Sequence, residues 1–165
     1  MRYLLMLIIA IWNIQAMPDC SKPRPLDQLR AIQKLLEKHS VPQAVPPKEL
    51  APVILKLSKQ YRLDAVLVAS IVLIESKGDA NAFNSRTLDY GLMQINHRTA
   101  RAYGVGPACL MHWPCNLETG MRVLADFGTR RPCSYNVGYK KLKGATLLAC
   151  ESYENKIAYY QGGIK

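Results

Sequence analysis

The sequence predicts an all-α protein, and three observations carry that prediction. Apolar residues recur at spacings of three and four over 26–39, over 50–61 and again near the C-terminus, which is the period of one helical face. Asp64 and Asn96, both good capping residues, stand directly before two of the helical stretches. No alternating apolar and polar pattern of any length runs through the second half of the chain. With 49% hydrophobic and 21% charged residues over 165 positions, the composition is that of a soluble globular protein rather than a disordered chain or a membrane bundle.

The first sixteen residues stand apart. Arg2 gives a positive start, Tyr3 to Trp12 is almost wholly apolar, and Ala16 closes a small-residue cleavage site, which together predict a signal peptide over 1–16 and an exported, periplasmic or extracellular protein. The apolar core of about ten residues is short of the roughly 20 needed to span a bilayer. Cys20 does not fit lipid attachment, because Pro18 and Asp19 occupy places that call for small residues. Residues 17–47 then hold an amphipathic helix and a linker. Leu26, Leu29, Ile32, Leu35 and Leu36 form one stripe, with Arg30, Lys34 and Lys38 largely opposite, and Pro42, Pro46 and Pro47 mark the linker. Packing on the following domain is expected for this helix, with docking to a partner as the other reading.

The catalytic domain is placed at 48–165. Leu50, Val53, Ile54, Leu57 and Tyr61 predict a helix, with Pro52 tolerable in a first turn. From Ala65 to Ile74 only Ser70 is polar, so the segment is buried on nearly every side, and its period does not distinguish a helix from a strand. Asn96 predicts a helix through Tyr103 that is stopped by Gly104, Gly106 and Pro107. Leu117 to Phe127 reads as another helix ending at Gly128, and Ala145 to Tyr160 as the last one, with Tyr153, Ile157 and Tyr160 on one face.

Charge and cysteine usage narrow the setting. Of 22 basic and 12 acidic residues only Arg2 lies in 1–16, so the remainder carries 21 and 12, a formal charge of +9, and should be drawn to polyanions. A nucleic-acid partner is not expected, since no binding motif is present and export argues against it. In an oxidising compartment Cys109, Cys115, Cys133 and Cys150 should form two bridges, with Cys20 left over; three connectivities are open. No metal is expected, because no C-x-x-C pair occurs and His39, His97 and His112 are not at ligand spacing.

Glu75 is the residue that invites chemistry. A carboxylate at the end of a ten-residue apolar run is drawn partly out of water, which raises its pKa toward neutrality and suits it to donate a proton to a leaving oxygen. Asp89-Tyr90-Gly91-Leu92-Met93-Gln94-Ile95-Asn96 adds a glycine for close backbone approach, an adaptable apolar wall and an amide that both donates and accepts. Tyr135-Asn136-Val137-Gly138 adds an aromatic hydroxyl and a second amide.

In their order and spacing, Glu75-Ser76, Gly91-Leu92-Met93-Gln94 and Tyr135-Asn136-x-Gly138 resemble the three motifs of the soluble lytic transglycosylase and goose-type lysozyme family. The likeness covers residues 48 to about 162 and includes Tyr61-Arg62-Leu63-Asp64, Ala82, Tyr153 and Lys156. With Pro114-Cys115-Asn116-Leu117, it looks most like the small specialised transglycosylases of type III and type IV secretion, pilus and conjugation machinery. Ala80, where proline is usual, and Ser134, where alanine often precedes the tyrosine, depart from the pattern.

The resemblance implies a lysozyme-like helical domain with a glycan-binding cleft, in which 65–74 is a buried helix closed by the catalytic glutamate. It implies cleavage of the bond between N-acetylmuramic acid and N-acetylglucosamine with formation of a 1,6-anhydro sugar, for local wall opening during assembly of such an apparatus. Glu75 would act as acid and then base. Tyr135 would orient it or line the cleft beside it; Ser76, Met93 and Gln94 would contact sugar and acetamido groups; Asn136 would hold its loop. Gly91, Leu92 and Tyr153 complete the expected substrate-binding set. The expected partners are peptidoglycan glycan strands and the proteins of such machinery, the chain acting as a monomer without a cofactor. The alternatives are a hydrolase, in which Asp79 or, as the better candidate, Asp89 would activate water, and a non-catalytic peptidoglycan-binding assembly factor.

Overall fold

The computed structural model describes residues 23–127, 132–137 and 144–162. The signal peptide of 1–16, Cys20, Gly128 and Gly138 lie outside the described residues. Among the described residues the chain is mostly helical, in agreement with the expected class, and no helix is long and apolar enough to cross a membrane.

Three helices come first: α1 over Pro25–His39, α2 over Pro47–Tyr61 and α3 over Ala65–Glu75. α1 begins on a proline whose fixed φ suits the first helical position, has Asp27 in its first turn, and carries Lys38 and His39 in its last, the charges that the helix dipole favours at each end. Its buried residues Ile32, Leu35 and Leu36 pack on α2 and α3, so the N-terminal helix belongs to the same core as the rest. The segment that follows is fastened to the turn after α3, where Val41 N–H donates to the Lys77 carbonyl and Val45 N–H to the Gly78 carbonyl, each at 3.0 Å.

α2 starts at Pro47, three residues earlier than its apolar stripe, which places Pro52 inside the helix rather than in its first turn. It ends at Arg62, whose left-handed backbone (φ 56°) turns the chain toward α3. Asp64 caps α3 as expected, its Oδ1 accepting from Val66 N at 2.8 Å and Leu67 N at 2.9 Å. Every residue from Leu67 to Leu73 is buried, because α1, α2 and the last helix each cover a side of α3. The segment whose period was ambiguous is thus a helix with no solvent face, closed by Glu75.

Between α3 and the next helix lies a small antiparallel sheet that the sequence reading missed, formed by β1 (Phe83–Asn84), β2 (Asp89–Tyr90) and β3 (Ile95–Asn96) in the order β1-β2-β3. Phe83 pairs with Tyr90 and Asn84 with Asp89; Asp89 pairs in turn with Asn96 and Tyr90 with Ile95. Strands of two residues are too short for an alternating pattern to register. Asn96 then caps α4 (His97–Ala102), its side chain accepting from Arg98 N at 3.0 Å.

α4 stops before Gly104 as expected, but Pro107 also opens an unforeseen short helix, α5 (Pro107–Met111), and α6 runs over Trp113–Phe127, beginning four residues before Leu117 with Pro114 in its first turn. Both corrections share a cause with the early start of α2, since a proline lacking its N–H is well suited to a position where that N–H would have no partner. α7 (Ser134–Val137) is one turn long, and α8 (Ala145–Gly162) packs on α3 with Cys150, Tyr153, Ile157 and Tyr160 buried. Disulfides join Cys109 to Cys115 and Cys133 to Cys150, which selects one of the three connectivities. The second bridge ties the residue just before α7 to α8.

Candidate functional site

Glu75 ends α3 at a cleft of about 790 Å³, whose other walls come from Asp89, Gln94 and Asn96 of the sheet region, Val123 and Phe127 of α6, and Tyr135 and Asn136 of α7. The apolar body of α3 delivers the carboxyl to this opening while keeping it half-buried. Loss of solvent raises its pKa to about 7, helped by the negative charge of Asp89; a hydrogen bond from Tyr153 and the positive charge of Lys156 act in the other direction. Tyr153 Oη donates to Glu75 Oε1 at 2.7 Å. Glu75 therefore carries its proton over part of the neutral range and has a fixed orientation.

The three sequence motifs meet through backbone carbonyls of the middle one. Ser76 Oγ donates to the Leu92 carbonyl at 2.9 Å, and Tyr135 Oη donates to the Met93 carbonyl at 2.8 Å. Ser76 Oγ also accepts from Gly78 N at 3.1 Å, closing the turn after Glu75. Burial, with the nearby charges of Glu75 and Asp89, pushes the Tyr135 hydroxyl well above its usual range, so it remains a donor. Burial first, then the charge of Glu75 and the hydrogen bond to it, raise Tyr153 far above the ordinary phenol value, and Tyr153 too stays protonated beside Glu75.

Asn116 clasps the middle motif from inside. Its Oδ1 accepts from Met93 N at 3.0 Å, while its Nδ2 donates to the Tyr90 carbonyl at 2.7 Å and the Leu110 carbonyl at 3.0 Å. This fully buried amide is satisfied on both ends, as a buried polar group must be. Gly91 has φ +69°, and a Cβ there would stand 2.5 Å from Asn116 Nδ2, so only glycine fits. Gly120 of α6 gives way to Met93 in the same manner, its absent Cβ falling 2.4 Å from the Met93 sulfur.

The expected substrate-binding residues consequently separate into two groups. Gln94, Tyr135 and Asn136 line the cleft with Glu75. Gly91, Leu92 and Met93 are buried, the last two completely, and Ser76 and Tyr153 are engaged in internal hydrogen bonds. Gln94 has a left-handed backbone (φ 45°), and its Nε2 donates to the carbonyls of Ala82 at 3.1 Å and Gly91 at 3.0 Å, which fixes this wall of the cleft. Asp89, the candidate second carboxylate, also faces the cleft, but its oxygens hold the sheet together: Oδ2 accepts from Thr87 Oγ1 at 2.5 Å and Oδ1 from Asn96 Nδ2 at 2.8 Å.

Sequence reasoning gave no role to Asn116 or Gly120, and none to Thr87, which is placed at Asp89 by the missed hairpin. A polar residue opening the apolar run of α6, in Pro114-Cys115-Asn116-Leu117, was the available signal for Asn116. Among the described residues, the grouping of His, Cys, Asp or Glu compact enough to ligate a metal is Cys133, Cys150 and Glu154, and its two sulfurs are bonded to each other.

No single curated protein matches the chain significantly. The family described as the transglycosylase SLT domain, whose members act on peptidoglycan, matches residues 52–155, a span that runs from α2 through Glu75 and the middle motif to Tyr153, and the chain belongs to that family.

Proposed function

We propose that this chain is a lytic transglycosylase with Glu75 as its acid and base. The observation that carries the reading is the half-buried Glu75 at the cleft, with a pKa near 7 and a hydrogen bond from Tyr153. Protonated Glu75 gives its proton to the oxygen linking N-acetylmuramic acid to N-acetylglucosamine, and the bond from that oxygen to the muramoyl C1 breaks. The resulting Glu75 carboxylate accepts the proton of the muramoyl C6 hydroxyl as O6 bonds to C1, which gives a 1,6-anhydro end and returns Glu75 to its starting state. An internal hydroxyl and the substrate's 2-acetamido group replace the second carboxylate of the usual scheme. Such acid and base work contributes roughly 10²- to 10⁴-fold.

Glu75→Gln should abolish wall clearing while leaving folding and wall binding in place, and unchanged clearing would remove Glu75 from the mechanism. A protein that only bound the wall would be indifferent to the substitution. The hydrolase reading has one observation in its favour, the presence of Asp89 in the same cleft. Its engagement by Thr87 and Asn96 makes it a brace of the hairpin in our reading. Mass spectrometry of digested peptidoglycan distinguishes the two, since anhydro ends support the transglycosylase and reducing muramic ends support the hydrolase.

Export directed by residues 1–16, a catalytic domain over 48–165, action as a monomer and service to a secretion, pilus or conjugation apparatus complete the proposal. They are supported by the apolar N-terminal run and by the resemblance to specialised transglycosylases.

A further inference from the structure

A second groove of about 740 Å³ lies on the other side of the α3 terminus, where Ile74 lines it while the next residue, Glu75, faces the cleft. Its floor is a stripe of α8 that runs from Leu148 through Asn155 and Lys156 to Tyr159, and Lys77 stands at the Tyr160 end. Apart from the charge of Lys156, the catalytic reading uses none of its exposed side chains. Leu148 is 66% exposed and Tyr159 67% exposed, so an apolar and an aromatic side chain both stand open to a ligand along this stripe. The Tyr159 ring is nonetheless held in place, edge-on to His39 at 5.9 Å and to Tyr160 at 5.3 Å. Lys77 is held too, by Tyr160 Oη and by the face of the Tyr160 ring at 4.9 Å. These are preorganised groups on an open surface.

The groove has a length and a charge pattern. Leu148 and Tyr160 are twelve residues apart on one helix, about 18 Å along its axis, the span of an extended peptide of about five residues. Lys77 and Lys156 put two positive charges toward one end, and Glu151 puts one negative charge toward the other. A short peptide with two carboxylates and one amine is the complement of that pattern. Ile74 of the groove directly precedes Glu75 of the cleft in the last turn of α3, and the charge of Lys156 reaches Glu75, so the groove opens near the catalytic carboxyl.

We propose that this groove binds the acidic stem peptide that hangs from the lactyl group of the muramoyl residue being cleaved. The inference rests on the proposed function, because it takes the peptidoglycan strand to lie in the cleft. Stem carboxylates pair with Lys77 and Lys156, the amine of the diamino acid meets Glu151, and Tyr159 covers the peptide's apolar stems. The enzyme thereby selects strands that still carry their peptides.

The test uses the full exported chain. A synthetic stem peptide containing D-glutamate and diaminopimelate, titrated into the Glu75→Gln protein, should move the amide signals of Lys77, Asn155 and Tyr159, and Lys77→Gln or Tyr159→Ala should weaken binding about tenfold or more. Absence of those shifts, or equal binding by the variants, overturns the proposal. So does equal binding of an oligoglutamate of the same length, which would point to an acidic segment of a protein partner. On the active enzyme, kcat/KM for peptide-bearing strands should exceed that for strands stripped by an amidase, and Tyr159→Ala should bring the ratio toward one. A ratio of one in the unsubstituted enzyme overturns the proposal. Cleavage of neither substrate would be a failure of the transglycosylase reading instead, and the peptide titration would still decide the groove.

Discussion

α3 and α8 meet at Glu75, yet they are built on opposite plans. α3 has no polar face, with seven consecutive residues, Leu67 to Leu73, buried under other helices. α8 buries Cys150, Tyr153, Ile157 and Tyr160 and leaves most of its other side chains in water. The difference shows how one carboxyl can be both poorly hydrated and well oriented. α3 removes water from Glu75 and raises its pKa, whereas α8 supplies the Tyr153 hydrogen bond that fixes its direction and moderates the shift. An amphipathic helix in the place of α3 would hydrate the acid, and an apolar α8 would have no hydroxyl to offer it.

Truncation should separate the two plans most strongly in the core. Leu73→Ala in α3 removes a fully buried side chain and should cost about 2–5 kcal/mol in denaturant unfolding. A cost near zero would mean that α3 is less tightly covered than described.

Glu75 itself tests the dehydrating role. A carboxyl whose pKa is raised on folding, here from 4.5 to about 7, favours the folded state fully below its unfolded pKa, and that contribution is lost as the pH rises through 7. Glu75→Gln should therefore be more stable than the unsubstituted protein at pH 8, by about 1–3 kcal/mol, with the gap closing toward pH 4.5. A gap that widened on acidification would reverse the sign and with it the account of burial.

Tyr153→Phe tests the orienting role. Loss of one hydrogen bond should cost about 0.5–1.5 kcal/mol in stability, lower the rate of wall cleavage about tenfold, and move the basic limb of the pH profile upward, since the hydroxyl lowers the Glu75 pKa. A rate loss with an unmoved profile would make Tyr153 a packing residue only. Leu148→Ala, on the open side of α8, should change stability by less than about 0.5 kcal/mol, and a larger loss would show that this face is covered.

The contrast also explains what could be read from the sequence. The helices with one stripe, α1, α2 and α8, were visible from their period, and α3 from its lack of polar residues once the resemblance had settled its type. The starts of α2 and α5 were misjudged because Pro47 and Pro107 read as breakers when each sits at a helix N-terminus, and that of α6 because its apolar run begins only at Leu117. The sheet escaped because its strands are two residues long. At the site, Glu75 was legible from its position after an apolar run. The arrangement around it was not, because Tyr153 is 78 residues away and Asn116 reaches the middle motif across 23. Such links are fixed by packing, and the local sequence can mark a residue such as Asn116 without showing what it will meet.

The Asn116 clasp has a bearing on how enzymes of this kind diverge. Gly91 and Met93 face inward onto Asn116 and Gly120, and Leu92 between them is fully buried, so the stretch by which the sequence is most easily recognised acts as a keystone rather than a fingertip. A descendant that gave up catalysis would still need that keystone to stand. Conversely, the wall at Asn136 could be retuned for a different glycan without disturbing it. The recognisable signature and the selectivity of the enzyme are therefore free to evolve at different speeds.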